Sequence, residues 1–127
     1  MLKEGRRIWV TIGIAVVLIL AMLVGNRYRE KMQSTSESVL RGNLLAMRVA
    51  IDQYINDRHQ ALQSLQQLLD AGYFRELPVD PMTESNSKWT PVLGNVVISP
   101  GLTARGITDL HSSSTLLSSD GTIYIAW

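Results

Sequence analysis

Apolar residues are concentrated near the N-terminus of the chain. Residues 8–24 form a run of seventeen positions without a charge. A run of this length is at the lower edge of what spans the hydrocarbon core of a bilayer as a helix. The pattern predicts a transmembrane helix over residues 8–25, preceded by a short basic tail, residues 1–7. The side chains expected to contact lipid or a neighbouring helix are Ile8, Trp9, Ile12, Ile14, Val16, Leu18, Leu20 and Leu23.

Two other interpretations fit this run less well. A cleaved secretory signal ends in a small-x-small site after a shorter apolar core, whereas this run ends in MLVGN at residues 22–26. The core helix of a soluble domain is apolar along one stripe, whereas this run is apolar all round. Three Lys or Arg residues flank the run closely on each side, so the positive-inside rule assigns no orientation.

The next segment has the pattern of an amphipathic helix. Residues 28–56 contain no proline, and an apolar residue recurs at steps of four and three. This stripe is expected to form the core of a small domain. Its members are Leu40, Leu44, Met47, Ile51 and Tyr54. The sequence leaves open whether one helix continues from the membrane into this segment or a flexible linker interrupts it at Gly25, Gly42 or residues 33–38.

Shorter elements are predicted in the second half of the chain. The leucines of residues 62–69 predict a short helix, and Gly72 lies where a left-handed C-terminal cap is expected. Residues 77–81 (LPVDP) exclude helix. Residues 89–93, 95–99 and 122–126 have the composition of short strands. Helices followed by strands predict an α+β fold, with a small antiparallel sheet packed on the Leu40–Tyr54 stripe.

Composition and charge narrow the function classes. From residue 27 onward nine Lys or Arg face ten Asp or Glu, so the domain is close to neutral and carries no basic stripe. Nucleic-acid binding is therefore not expected. The chain has no cysteine, which excludes disulfides, thiolate metal sites and a thiol nucleophile.

One polar segment near the C-terminus carries candidate chemistry. Residues 109–121 (DLHSSSTLLSSDG) are expected to form a loop. Asp109, Ser112 and Asp120 could supply oxygen ligands to Ca²⁺, although Asp and Ser runs also form ordinary turns. Asp109, His111 and Ser112 contain the ingredients of a hydrolytic triad, but neighbours in one strand or loop point in alternating directions. No enzymatic activity is expected.

Several separated stretches resemble one family. They are LRxxLxxxRxAIDxY at residues 40–54, SLxxLLxxGY at residues 64–73, LPVDPxT at residues 77–83 with Trp89 after it, GIxDLHS at residues 106–112 and DGxxYxxW at residues 120–127. Together they resemble the major pseudopilins of type II secretion systems and type IV pilin-like proteins. The resemblance covers most of residues 39–127.

The resemblance implies a pilin-like fold, in which a long N-terminal helix, its first half transmembrane, carries a small antiparallel sheet. It implies a structural subunit of a helical filament, in contact with copies of itself and with other pseudopilins or secretion-machinery proteins. It also implies a single-pass protein of the bacterial inner membrane, with the N-terminus cytoplasmic and the C-terminal domain periplasmic. Calcium at Asp109, Ser112 and Asp120 is a further implication, and no small-molecule substrate is expected.

The N-terminal residues depart from the family pattern. Family members carry a leader that ends in Gly and is cut before Phe or Met, with a Glu at the fifth position of the mature chain. Here Gly5 is followed by Arg6 and Arg7, and no acidic residue lies in residues 8–24. These departures leave open a second hypothesis, an unprocessed membrane-tethered periplasmic adaptor or binding module of the same fold.

Under either hypothesis, residues 26–57 are predicted to form a helical stalk that continues into the domain, and residues 58–127 a pseudopilin-like α+β head.

Overall fold

The computed structural model describes residues 2–127, with side chains from Lys3 onward; the predicted tail begins at Met1, which lies outside the described residues. Helix α1 spans Leu2–Arg58, followed by α2 at Gln66–Asp70, strand β1 at Trp89–Ser99 and strand β2 at Leu102–Ser112. The predicted α+β layout, a long N-terminal helix and a small antiparallel sheet, is confirmed.

Helix α1 contains every residue at which an interruption was considered. Gly25, Gly42 and residues 33–38 are all helical, and residues 2–7 form its first turns instead of a separate tail. The helix ends where the backbone of His59 takes a left-handed φ of 50°, while its N–H still donates to the carbonyl of Ile55. The chain divides into two compact units at Ser34 and Thr35.

In the first unit, residues 2–34 are entirely helical. The large apolar side chains of residues 8–24 are exposed, Trp9 to 75%. The described helix is long and apolar enough to cross a membrane, by length and composition alone.

The core of the second unit, Thr35–Trp127, forms around the predicted stripe of α1. All five stripe residues are buried, with Leu40 and Met47 at 0% exposure. The sheet supplies the opposite side of this core, and the loop after α1 and the C-terminal segment complete it. The contributing residues are Trp89, Val96, Ile107 and Leu110 from the sheet, Leu62 and Leu68 from around α2, and Tyr124.

The short helix is shorter than predicted. Leu62 is not helical, because its carbonyl accepts the N–H of Ile107 in β2 at 2.7 Å. This bond fixes the loop on the sheet and leaves only Gln66–Asp70 to form α2. Gly72 has a φ of 83°, and its N–H and that of Tyr73 bond to the carbonyls of Leu69 and Leu68, which makes it the predicted left-handed C-terminal cap.

The sheet differs from the prediction in two places. The segments 89–93 and 95–99 form one strand, β1, which pairs with β2 in antiparallel register and carries an irregularity between Val92 and Leu93. Residues 122–126 are not a strand: Ile123 makes one bridge to Leu117, and Tyr124–Ala126 form a 3₁₀ turn. Over residues 2–127 the sheet therefore has two strands.

Gly106 permits the closest approach between the loop and the sheet. A Cβ atom at this position would lie 2.7 Å from both Ala61 Cβ and the Leu62 carbonyl oxygen. Both neighbours are held in place, since Ala61 is buried and the Leu62 carbonyl is bonded to Ile107. A side chain here would separate the loop from β2.

We expect Gly106→Ala to destabilise the second unit by about 1–3 kcal/mol, because the added methyl group has no space. The measurement is urea unfolding of the full chain in detergent, followed by near-ultraviolet circular dichroism. Gly42→Ala is the matched control: it adds the same methyl group to an open helical position, where it should be neutral or stabilise by up to about 1 kcal/mol. Equal stability of the two variants would contradict the close-approach argument.

Candidate functional site

The C-terminal segment is held on helix α1 by one buried carboxylate. Glu37 is only 3% exposed. Its Oε1 accepts hydrogen bonds from Tyr124 Oη and from the backbone N–H of Ser119, both at 2.7 Å, and its Oε2 accepts one from Ser119 Oγ at 2.6 Å. A buried carboxylate is tolerated where such donors replace water, so Glu37 fixes the position of residues 119–124.

A second contact joins α1 to the end of β2. Arg48 Nε donates to Asp109 Oδ1 at 2.6 Å, and Arg48 Nη2 donates to the carbonyl of Leu110 at 3.2 Å. Partial burial opposes ionisation of Asp109, but the hydrogen bonds from Arg48 and from the Leu110 N–H outweigh it and lower the pKa of this carboxyl group. The Asp109 carboxylate is therefore already paired with Arg48 of the same chain.

The Ser112 side chain forms its hydrogen bond with a different residue, Asp80. Its Oγ is fully buried and donates to Asp80 Oδ2 at 2.5 Å. Asp80, also fully buried, accepts the Met82 N–H at its other oxygen at 2.8 Å and donates its own N–H to the carbonyl of Ser85. The LPVDP turn is thereby tied to the end of the sheet.

Asp120 is bound by its own neighbours. Its Oδ1 accepts hydrogen bonds from the hydroxyl of Ser118, from Thr122 Oγ1 at 2.6 Å and from the Thr122 N–H at 3.0 Å. The bond from Ser118, followed by those from Thr122, lowers the pKa of Asp120 to about 2. This is a turn in which Ser and Thr hydroxyls bond a nearby carboxylate.

The three residues predicted to bind calcium do not form one ligand set in the structure. Asp109 and Ser112 are not in a loop; they belong to β2 and, three positions apart, face opposite sides of the strand. Asp120 lies in the separate turn described above. Among residues 2–127, no group of three or more His, Cys, Asp or Glu side chains could hold a metal ion. Calcium binding stays a prediction, and this geometry supplies no common site for it.

Asp109, His111 and Ser112 do not form a catalytic relay either. His111 Nδ1 contacts the carbonyl oxygen of Trp127, while Asp109 bonds Arg48 and Ser112 bonds Asp80. Alternation along β2 places the Ser112 side chain on the opposite face of the strand from Asp109 and His111. Asp109 and His111 share a face, but Arg48 bonds the Asp109 carboxylate and the Trp127 carbonyl oxygen contacts His111 Nδ1.

Sequence reasoning missed Glu37 and Asp80, the two buried carboxyl groups that organise this part of the second unit. A signal for Glu37 was available, because it precedes Leu40 by three positions and Leu44 by seven, and therefore extends the buried stripe by one turn. Asp80 had no comparable signal: its partner Ser112 is 32 positions away in the chain.

Comparison of the chain with protein-family models, with curated proteins and with solved structures found no match.

We expect Glu37→Gln to loosen the C-terminal segment at a cost of about 1–3 kcal/mol, because an amide replaces an acceptor-only group among three donors. Hydrogen exchange of the Ser119 amide should accelerate. Glu30→Gln makes the same chemical change at an exposed position of α1 and should leave this amide unchanged. Unaltered protection of Ser119 in Glu37→Gln would contradict the assigned role.

The turn around Asp120 should respond to acid in a defined range. Because the pKa of Asp120 is about 2, below the ordinary 3.8, its ionised form stabilises the folded turn above about pH 4, and this contribution is lost as the pH falls through about 2. The chemical shift of the Thr122 amide proton should titrate with a midpoint near 2. Asp120→Asn should abolish that titration, and a midpoint near 3.8 would refute the bonding described.

Proposed function

We propose that the protein is a structural subunit of a pseudopilus or type IV pilus-like filament in type II protein secretion, anchored and assembled through its N-terminal helix. In this proposal it is a single-pass protein of the bacterial inner membrane, with its N-terminus in the cytoplasm and its head in the periplasm. Its partners are copies of itself and other pseudopilins, and it carries out no reaction.

The exposed apolar segment of α1 is the observation that carries this proposal. Ile12, Leu18 and Leu23 are 49–64% exposed, and none of residues 8–24 is buried. Exposed apolar surface on this scale is covered by lipid or by other protein chains. The arrangement of the second unit, a helix stripe covering a small sheet, supports the same proposal through the sequence resemblance of residues 39–127 to pseudopilins.

A second candidate function, an unprocessed membrane-tethered adaptor, is favoured by one specific observation. Residues 8–24 contain no acidic side chain, and Gly5 is followed by two arginines. The glutamate that family members are understood to use for neutralising a neighbouring N-terminal amine is therefore missing. An adaptor that keeps its N-terminal residues and does not polymerise has no need of that glutamate.

A pair of introduced cysteines distinguishes a filament from an isolated anchor. Because the chain has no natural cysteine, we expect Ile12→Cys/Leu20→Cys to form a ladder of trimers and larger species when membranes are treated with a short bismaleimide. A head-to-tail contact joins two different surfaces of each subunit and does not close on itself. Each single variant can form dimers at most and is the matched control.

Monomers or dimers alone in the double variant, in cells that overproduce the secretion machinery, would contradict a filament role. The intact mass of the membrane-extracted protein then separates the candidates. Loss of residues 1–5 supports a processed subunit, whereas a mass that begins at Met1 supports the tethered adaptor.

A further inference from the structure

Basic side chains lie on both sides of the apolar segment, but they are arranged differently at its two ends. Successive residues of an α-helix are rotated by about 100°. Lys3, Arg6 and Arg7 therefore fall within an arc of about 100° on one face of α1. Arg27 and Arg29, at the other end, point to nearly opposite sides of the helix. Lys31 lies about 40° from Arg27, so the three cations of this end spread over about 200°, whereas those of the N-terminal end all fall within about 100°.

The three N-terminal cations are available to a ligand. Their side chains are exposed, and over residues 3–127 none of them takes part in an ion pair or hydrogen bond. Glu4 lies outside the arc, about 60° from Arg7 and about 100° from Lys3. The face therefore keeps a net positive charge.

A groove on this face combines cationic and apolar walls. It is lined by Arg6, Arg7, Val10 and Thr11. The Thr11 hydroxyl donates to the carbonyl of Ile8 at 2.8 Å, so its proton is already committed. The two guanidinium groups are thus the donors of the groove, and guanidinium groups match the geometry of phosphate oxygens. Val10 provides apolar surface one turn further along the helix.

The depth of this groove corresponds to the level of lipid headgroups. Trp9 and Tyr28 are both strongly exposed, at 75% and 66%. They are separated by about 28 Å along a helix that rises about 1.5 Å per residue, close to the roughly 30 Å of a hydrocarbon core. Aromatic side chains at both ends of such a span mark the two interfaces. Arg6 and Arg7 lie within one turn beyond Trp9, where the phosphates are.

We infer that Arg6 and Arg7, together with Lys3, bind the phosphate group of an anionic phospholipid at the N-terminal end of the apolar segment. The inference rests on the membrane anchoring contained in the proposed function. A net negative headgroup complements the net positive arc, whereas a zwitterionic headgroup carries its own cation. At the opposite end of the segment the cations Arg27, Arg29 and Lys31 spread over about 200° of the helix surface, and Glu30 lies between Arg29 and Lys31 in the sequence.

The test measures the enrichment of anionic lipid around Trp9 in the full-length chain. The protein is reconstituted in vesicles of phosphatidylcholine and phosphatidylglycerol, and tryptophan quenching is compared when either lipid is brominated in its acyl chains. We expect brominated phosphatidylglycerol to quench at least about threefold more than its mole fraction predicts. A Trp9→Phe variant measures the background from Trp89 and Trp127.

Two double variants with equal loss of charge complete the test. Arg6→Gln/Arg7→Gln should lower the enrichment to about onefold, whereas Arg27→Gln/Arg29→Gln should retain it; circular dichroism verifies that both remain helical. Enrichment that survives in Arg6→Gln/Arg7→Gln, or equal quenching by both lipids in the unmodified chain, would overturn the lipid site while leaving the anchor intact. Quenching by neither lipid would overturn the anchor, and the inference with it.

Discussion

A two-stranded sheet cannot bury its own apolar face, and this constraint governs the structure of the head. Strands β1 and β2 have one apolar side that needs cover, and the Leu40–Tyr54 stripe of α1 provides it. The stripe residues are buried only because the sheet packs on them, and the sheet is stable only because the helix lies beneath it. The loop at Ala61 and Leu62 reaches this core because position 106 has no side chain.

Hydrogen bonds from polar side chains fix the positions of segments that the apolar core does not specify. Hydrophobic burial is not directional, so it does not specify where an irregular C-terminal segment lies. The Glu37 carboxylate specifies the position of this segment by accepting two hydrogen bonds from Ser119 and one from Tyr124. Arg48 and Asp80 do the same for the end of β2 and for the LPVDP turn. The two buried carboxyl groups, Glu37 and Asp80, both accept hydrogen bonds, as burial requires.

Helix α1 carries two different residue patterns along its length. In residues 8–24 its side chains are apolar all round and exposed, while from Leu40 onward only one stripe is apolar and that stripe is buried. The first pattern suits lipid or neighbouring helices, and the second suits a sheet. The proposed anchoring, assembly and lipid contact all belong to the first pattern, whereas the head depends on the second.

The pattern of neighbouring residues determined the buried stripe, the cap at Gly72 and the α+β class, because each depends on residues close together in the chain; it left the continuity of α1 open. The tertiary structure decided the rest. Leu62 is not helical because its carbonyl bonds to Ile107, 45 positions away. Within the predicted strand 122–126, Tyr124–Ala126 form a 3₁₀ turn whose buried Tyr124 bonds to Glu37. The predicted calcium residues were separated by the alternation of β2 and by partners such as Arg48. Contacts between distant segments set these outcomes, and the pattern of neighbouring residues does not encode them.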